Sequence, residues 1–372
     1  MEEKPVIIIG GGLWGTLLAL RIRQCLPHVA LKLYAPGPQL GEQFSVSFHE
    51  SDVSQAAMKW LSPFISQSWK DFEVNFPRYS KKSDHKLFTM EPSHFHAVAS
   101  ELLGPNVVYL NRTLTPEEAV KEGSFVIDTL VRGYFKGLGY QKTHGLIVKL
   151  THPHRLSSPI SMDATIEQKN GFRYLQVLPL SEERLLLKDV RFSSDPLLYY
   201  ENIEPDLFRE AHQRRWIIDD VLERETEFRK IPCDYCDQFF EGKVIRLDGF
   251  VHDITGDALP DAVRLIDRMV QTSFRLGELK LVMREYLIER KSRRRIFRTI
   301  NRMLFRVKTP CAERYQFFQW LHSMPPSIRK KFYKGDLVII DILRSLYTKS
   351  FFSRQKTSGI SFMKNQERVV IV

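Results

Sequence analysis

The chain has 372 residues, of which 43% are hydrophobic and 12% aromatic, so it can bury a large core and is not a disordered polypeptide. Its formal net charge is +11, and its four cysteines give no disulfide framework, which favours a reducing, cytoplasmic setting. The acidic, glycine-interrupted N-terminus is not a signal peptide, and no long apolar run follows it, so we expect no transmembrane helix.

The first predicted unit is a strand, a glycine turn, a helix and a second strand. A β-branched run from Val6 to Ile9 leads into Gly10, Gly12 and Gly15, and a strand-like run from Val29 to Tyr34 follows the helix. Glycines at this spacing allow a tight turn and let the backbone approach a pyrophosphate at the helix N-terminus. The pattern predicts a dinucleotide-binding βαβ unit, and the alternative is a glycine-rich turn without a ligand.

The end of the second strand departs from this pattern. An acidic residue is expected there to bind the ribose hydroxyls, but the strand ends at Tyr34. Tyr34 is a neutral and weaker partner for a ribose, and Glu42 is an alternative a few residues further on.

The rest of the chain predicts more strands, a second sheet and a helical C-terminal part. Strands are expected at 107–110 and 125–127, and those of the second sheet at 145–150, 160–166, 174–178 and 185–190. Helices are expected at 202–225 and 262–274 and over most of the chain to about 350, before a loose polar tail from 354.

The stretch RLLLKDVRFSSD is a short apolar strand that ends in an ionisable pair, Lys188 and Asp189. Neighbours on a strand point to opposite faces, so only one of the two can face a cleft unless the strand bulges. The pair is either catalytic or a surface salt bridge at a strand end. Asp163 and Glu167 are a further candidate acid pair.

Several stretches taken together resemble the bacterial lycopene β-cyclases, flavoproteins of carotenoid synthesis. The likeness extends from residue 6 to about 350 and keeps the order of the motifs. These are the matching stretches: Ile9-Gly10-Gly11-Gly12-Leu13, Ser47-Phe48-His49-Glu50-Ser51-Asp52, His144-Gly145-Leu146, Pro159 to Thr165, Val177-Leu178-Pro179-Leu180-Ser181, Thr255 to Val263, and Asn301 to Arg306 with Glu313-Arg314-Tyr315.

The resemblance implies a Rossmann-like α/β fold of the glutathione reductase and aromatic hydroxylase type, with a β-rich substrate lobe and a helical C-terminal part. The implied divisions are 1–145 for the FAD-binding domain with an inserted segment, 146–235 for the substrate lobe, 236–275 for the return to the FAD-binding domain, 276–352 for the helical region and 353–372 for the tail. The implied reaction is a redox-neutral, acid-initiated cyclisation of a lycopene ψ-end or a related polyene by an isomerase. It requires reduced FAD, and NAD(P)H is the expected reductant.

The resemblance also implies site residues. FAD would lie on Gly10, Gly12, Gly15 and Tyr34, with Thr255 and Gly256 near the flavin ring. The family's general acid is the first residue of a Glu-Asp pair, and here the matching residues are Lys188 and Asp189. A lysine has an aqueous pKa near 10.4 and is a poor acid for an alkene, and its positive charge would oppose a carbocation.

Other departures lie near the expected flavin. The turn after Asp128 is longer than the family's, and Asp253 and Asp257 add negative charge where the family is mostly neutral. The chain is therefore a divergent relative, with a flavin monooxygenase or reductase and a non-catalytic flavin or lipid binder as alternative functions.

Two remaining features complete the predictions. Cys233 and Cys236 form a CxxC without a second pair, which argues against a metal site. Eight Lys or Arg and no acid occur from Arg290 to Arg306. The basic run is a solvated helix face or a docking face for the inner membrane surface, where a lipid-soluble substrate would be met; no nucleic-acid-binding motif accompanies it.

Overall fold

The computed structural model describes most of the chain. The described residues are 4–77, 79–130, 138–169, 171–197, 200–233, 239–247, 259–305, 311–338 and 340–341. The predicted flavin contacts Thr255 and Gly256 lie outside them, as do Asp253, Asp257 and Cys236.

The described part contains strands and helices in alternating groups. The strands are β1 (Val6–Ile9), β2 (Leu31–Tyr34), β3 (Val46–His49), β4 (Gln67–Trp69), β5 (Phe72–Phe76), β6 (Tyr79–Ser83), β7 (Leu87–Met90), β8 (Val108–Tyr109), β9 (Val126–Asp128), β10 (Leu138–Leu150), β11 (Ile160–Asp163), β12 (Phe172–Ser181), β13 (Arg184–Ser193), β14 (Ile218–Pro232), β15 (Phe240–Glu241) and β16 (Val244–Arg246). The helices are α1 (Leu13–Cys25), α2 (Gln55–Leu61), α3 (Pro92–Leu103), α4 (Pro116–Glu122), α5 (Tyr200–Gln213), α6 (Leu259–Met269), α7 (Leu276–Phe305), α8 (Cys311–Ser323) and α9 (Pro326–Tyr333), with 3-10 turns at Glu50–Asp52 and Ser62–Phe64.

A six-stranded sheet in the order β15-β16-β9-β1-β2-β8 carries the glycine turn, and its pairs are parallel except β15 with β16. Ile8 of the central strand β1 packs with residues of α1, α3 and α6, whereas Ile7 and Ile9 pack towards α4. A parallel strand that is covered on both faces needs apolar residues at every position, which accounts for the run from Val6 to Ile9. The predicted βαβ unit is confirmed.

The second sheet has seven strands in the order β14-β10-β13-β12-β11-β5-β6, and its pairs are antiparallel except β11 with β5. The predicted strands of this region correspond to β10, β11, β12 and β13. The sheet begins at Leu138 and includes β5 and β6, which come from the segment inserted before it in the chain. The division of the chain into domains stays a prediction.

The prediction of one helix from Asn202 to Glu225 is wrong in its second half. Helix α5 ends at Gln213, and β14 begins at Ile218 after Arg215, which adopts a positive φ of 60°. The sequence of β14 is rich in Glu, Arg and Leu, which favour helices. Pairing with β10 along its length overrides that preference, because strand formation depends strongly on the neighbouring strand.

Helices α7, α8 and α9 pack on one face of the second sheet, and the predicted helical C-terminal part is confirmed for the described residues. Phe318 of α8 stacks on Phe172 of β12 with the ring centroids 4.3 Å apart. Among the helices that the structure describes, none combines the length and the apolar character needed to cross a membrane. The helices and the sheet together enclose a large cleft.

Candidate active site

The glycine turn lies between β1 and α1, and its glycines have two different reasons for being there. A Cβ on Gly10, whose φ is +107°, would lie 2.3 Å from Thr129 Oγ1, and a Cβ on Gly15 would lie 1.8 Å from the Gly10 carbonyl oxygen. Gly10 and Gly15 are therefore required by packing alone. A Cβ on Gly12 would meet only the Glu42 carboxyl group, at 3.1 Å from Oε1. Gly12 thus faces open space at the helix N-terminus, where a pyrophosphate would need close backbone approach.

Glu42 lies at this same helix end. Its Oε1 accepts a hydrogen bond from the Leu13 backbone N–H at 3.0 Å. A carboxylate is stabilised at a helix N-terminus by the unpaired N–H groups and by the helix dipole. Glu42 therefore occupies the position of an anionic ligand, which differs from the ribose contact predicted for it.

Tyr34 is engaged between β2 and α4. Its hydroxyl donates to Glu122 Oε2 at 3.0 Å, and its ring stacks on Tyr109 with centroids 4.8 Å apart. Burial, followed by the hydrogen bond and the negative charge of Glu122, raises the pKa of Tyr34 to about 12. These contacts already use the Tyr34 hydroxyl, and its contact with a ribose stays a prediction.

A cleft of about 1340 Å³, part of it open to solvent, lies between the second sheet, β3 and helices α8 and α9. Its walls combine apolar side chains with several ionisable ones. The lining residues are Ser45, Val46, Ser47, His49, Ser51, Asp52, Phe72, Val74, Lys81, Ser83, His85, Leu87, Gln141, Thr143, Ser161, Met162, Tyr174, Gln176, Lys188, Val190, Phe192, Glu227, Arg229, Phe318, His322, Pro326, Arg329, Lys330 and Tyr333. A cleft of this size and mixed character is typical of a small-molecule site.

Lys188 faces the cleft but is only 3% exposed. Its Nζ donates to the Ser45 carbonyl oxygen at 2.7 Å and lies 3.0 Å from Glu225 Oε2. Glu225 in turn accepts hydrogen bonds from the backbone N–H and the hydroxyl of Ser45. The charge of Lys188 is therefore neutralised by a buried carboxylate, and the pair fastens the segment before β3 to the sheet.

Gly145 makes this ion pair possible. Lys188 on β13 and Glu225 on β14 are both cross-strand neighbours of Gly145 on β10, so one strand separates the two charged residues. A Cβ on Gly145 would lie 3.1 Å from Lys188 Cγ and 3.4 Å from Glu225 Cβ. Because glycine has no side chain, the lysine and the glutamate meet across the middle strand.

Asp189 points to the opposite face of β13, as strand alternation predicts. It is fully buried and lies between two arginines, with Oδ2 at 2.7 Å from Arg173 Nε and Oδ1 at 2.8 Å from Arg191 Nε. Two guanidinium partners favour an ionised carboxylate. Asp189 is thus a buried structural anion on the far side of the sheet from the cleft, and the pair is not at the surface.

Other candidate residues are engaged elsewhere. Asp163 pairs with Arg214 at 2.6 Å, and the Glu167 carboxylate pairs with Lys169 at 3.2 Å, so the two acids do not form a joint site. Cys233 is buried at the end of β14, and its partner in the CxxC lies outside the described residues.

Sequence reasoning missed two acidic residues of the cleft region. Glu225 was assigned to a helix end, and Asp52 was noted only within a motif. Asp52 is buried, and its Oδ2 accepts a hydrogen bond from the His49 backbone N–H at 2.7 Å. The polar spacing of a strand at the edge of a sheet was the available signal for Glu225. For Asp52 it was the short spacing from His49 in SFHESD.

Solved structures with this arrangement define the fold. A geranylgeranyl bacteriochlorophyll reductase-like protein from Thermoplasma acidophilum has a TM-score of 0.58 at 11% identity, with 94% of this chain and 97% of that chain covered. A flavin-dependent brominase has a TM-score of 0.58 at 12% identity, with 92% and 97% covered. At these identities the likeness shows the fold alone, which is the predicted fold of the FAD-dependent hydroxylases and halogenases.

Sequence comparison defines a narrower class. Residues 5–357 match the family model described as lycopene cyclase protein. The lycopene beta-cyclase of Pantoea ananas is 30% identical over 358 residues, which covers 92% of this chain and 93% of that protein. The lycopene beta-cyclase of Pseudescherichia vulneris is 31% identical over 363 residues, with the same coverage of both. The chain belongs to the lycopene cyclase family, and the predicted resemblance is confirmed.

Proposed function

We propose that the protein is a flavoprotein of carotenoid synthesis that closes a ring at a ψ-end of lycopene or of a related polyene, without net oxidation or reduction. The observation that carries the proposal is the family match over residues 5–357. The cleft supports it, because apolar walls such as Phe72, Met162 and Phe318 suit a hydrocarbon chain.

The residues present fit a flavin dinucleotide at the glycine turn. Gly10, Gly12 and Gly15 would hold its pyrophosphate at the N-terminus of α1, where Gly12 faces open space, and Thr255 and Gly256 would lie near its ring. Reduced FAD supplies negative charge that stabilises a cationic transition state when it is bound. Glu42 has to leave the helix N-terminus or share it, since two anions at one site repel. NAD(P)H is the proposed reductant.

Lys188 has a positioning role in this proposal. The sequence suggested that a lysine here would oppose a carbocation. Because Glu225 lies 3.0 Å away, the pair adds little net charge to the cleft. Lys188 also holds the Ser45 carbonyl oxygen, so it fixes the strand that carries His49 and leads to Asp52.

The outer face of α7 is the proposed docking face for a membrane surface. Leu281 and Ile288 are 57% and 72% exposed, and Arg284, Lys291 and Arg295 lie on the same stripe of the helix. Exposed apolar side chains flanked by basic ones suit an anionic lipid surface. A polyene that partitions into lipid would reach the cleft from there.

Pigment analysis in cells that accumulate lycopene tests the proposal. Expression of the protein should yield a cyclised isomer of lycopene, and a Gly12→Asp variant, which places a second carboxylate at the pyrophosphate position, should yield none. Unchanged lycopene in the presence of folded, flavin-loaded protein would overturn the proposal. An oxygenated product would instead support the alternative of a flavin monooxygenase.

A further inference from the structure

The described carboxyl groups that line the cleft belong to Asp52 and Glu227. Glu227 forms an ion pair with Arg229, so its carboxylate is held in the ionised form. Lys188 is paired with Glu225, and Asp189 lies on the other face of the sheet. A proton donor for an acid-initiated reaction must therefore be sought at Asp52.

Asp52 has one engaged and one unengaged oxygen. Oδ2 accepts the His49 backbone N–H at 2.7 Å and lies 3.2 Å from His49 Nδ1. Oδ1 is buried and has no hydrogen-bond partner among the residues that the structure describes. Buried polar atoms are nearly always paired, so an unpaired carboxyl oxygen in a cleft marks a place where a proton and a ligand belong.

We propose that Asp52 donates the proton that starts cyclisation in this protein, in place of the carboxylic acid that the family has at position 188. The proposal rests on the proposed function above. It assigns the catalytic acid to the 3-10 turn after β3 and a supporting role to the sheet residue Lys188.

The step balances without an oxidant or a reductant. The proton on Oδ1 adds to the terminal double bond of the polyene, whose π electrons form the new C–H bond and leave a tertiary cation. The next double bond attacks this cation and forms the ring C–C bond. A proton then leaves the adjacent ring carbon to the Asp52 carboxylate, and its electrons form the ring double bond. The product is an isomer of the substrate, and the acid is restored.

The surroundings of Asp52 suit both halves of this cycle. An apolar chain that displaces water from Oδ1 favours the neutral acid, because desolvation disfavours a charged carboxylate. After donation, His49 beside Oδ2 stabilises the carboxylate. The His49 ring is held in place, packed on Phe72 and Tyr333 with centroids 4.7 and 5.7 Å away.

Basic groups on the other elements around the cleft act in the same direction. β6 and the segment that follows it contribute Lys81 and His85, and α9 contributes Arg329 and Lys330. Their positive charges stabilise the anion left on Asp52.

The test compares Asp52→Asn with Glu50→Gln in lycopene-accumulating cells. Glu50 lies two residues away in the same turn, but its side chain is exposed and pairs with Lys86. Glu50→Gln should leave product formation unchanged. Asp52→Asn should lower it by at least about 100-fold, the usual contribution of a general acid. The bound flavin and the melting temperature of the purified Asp52→Asn protein should match those of the unmodified protein.

The outcomes separate this proposal from the proposed function. No cyclised product from the unmodified protein would count against the function, whereas an active protein with an equally active Asp52→Asn variant would overturn the assignment of the acid. Asp52→Ser, which still accepts the His49 N–H, is the second variant. If both variants lose flavin or stability, the role of Asp52 is structural and the proposal fails.

Discussion

Lys188 Nζ lies 3.0 Å from Glu225 Oε2 although the strand β10 runs between their two strands. Both side chains are almost fully buried, and each also binds Ser45. The position that carries an acid in related cyclases thus carries a base here, and a second strand supplies the compensating acid. The contact of Lys188 with the cleft is structural and electrostatic.

Removing one member of this pair should destabilise the protein. Lys188→Met leaves Glu225 buried and unpaired, and Glu225→Met does the same to Lys188, so each should cost about 3–5 kcal/mol in the free energy of unfolding. The double variant should cost much less than the sum, because no charge is left unpaired. Urea denaturation of the four proteins measures the coupling. Additive effects would show that the two side chains do not interact.

Replacement of Glu42 should strengthen flavin binding. Glu42→Gln removes a negative charge from the N-terminus of α1, where a pyrophosphate is expected. The gain should be roughly tenfold in the dissociation constant, as expected for about 1 kcal/mol of charge repulsion at a helix end. Fluorescence titration of the flavin-free protein with FAD measures it. Glu122→Gln, on α4, is the matched control and should change little, whereas equal affinity of all three proteins would place the flavin elsewhere.

His322 should make stability depend on pH. Complete burial, followed by the positive charges of Arg329, His49 and Lys81, lowers its pKa to about 3. Its pKa in the unfolded chain is about 6.5, so the unfolded state takes up a proton first as the pH falls. The stabilisation is fully present above pH 6.5 and is lost as the pH falls towards 3.

The size of this effect follows from the linkage between proton binding and folding. Between pH 7 and pH 5, His322 should account for a loss of about 2 kcal/mol in the free energy of unfolding. His322→Gln, which keeps a polar partner for the Tyr333 hydroxyl, should flatten the pH dependence by that amount. Urea midpoints at both pH values measure it, and parallel pH profiles would contradict the prediction.

The docking face on α7 predicts binding to anionic vesicles. Ile288→Ser should weaken binding to phosphatidylglycerol vesicles roughly tenfold, because the loss of a buried isoleucine side chain costs about 1–2 kcal/mol. Leu222→Ser, at an exposed leucine on β14, is the matched control and should leave binding unchanged. Co-sedimentation at low and high salt measures it. Equal binding of the two variants would place the membrane contact on another face.

The features that depend on local patterns could be predicted from the sequence. The apolar run before Gly10 and the glycine spacing predict β1, the turn and α1, because each residue there is determined by its immediate neighbours. The opposite orientations of Lys188 and Asp189 likewise follow from the geometry of a single strand.

The features that depend on long-range pairing could not be predicted in the same way. Residues 218–232 have the composition of a helix and form a strand only because β10 pairs with them. Glu225 therefore had no predicted partner, and its contact with Lys188 requires the register of three strands. The unpaired oxygen of Asp52 became visible only when the turn, the sheet and α9 were placed around one cleft.

The measurement that tests the central claim most directly is the mass of the product formed in heavy water. Purified protein would be incubated with lycopene in lipid vesicles, FAD and a chemical reductant in ²H₂O, and the pigments analysed by mass spectrometry. Acid-initiated cyclisation predicts an isomer of lycopene that carries one deuterium for each ring closed. An oxygenated or reduced pigment, or a cyclised one without deuterium, would contradict the account.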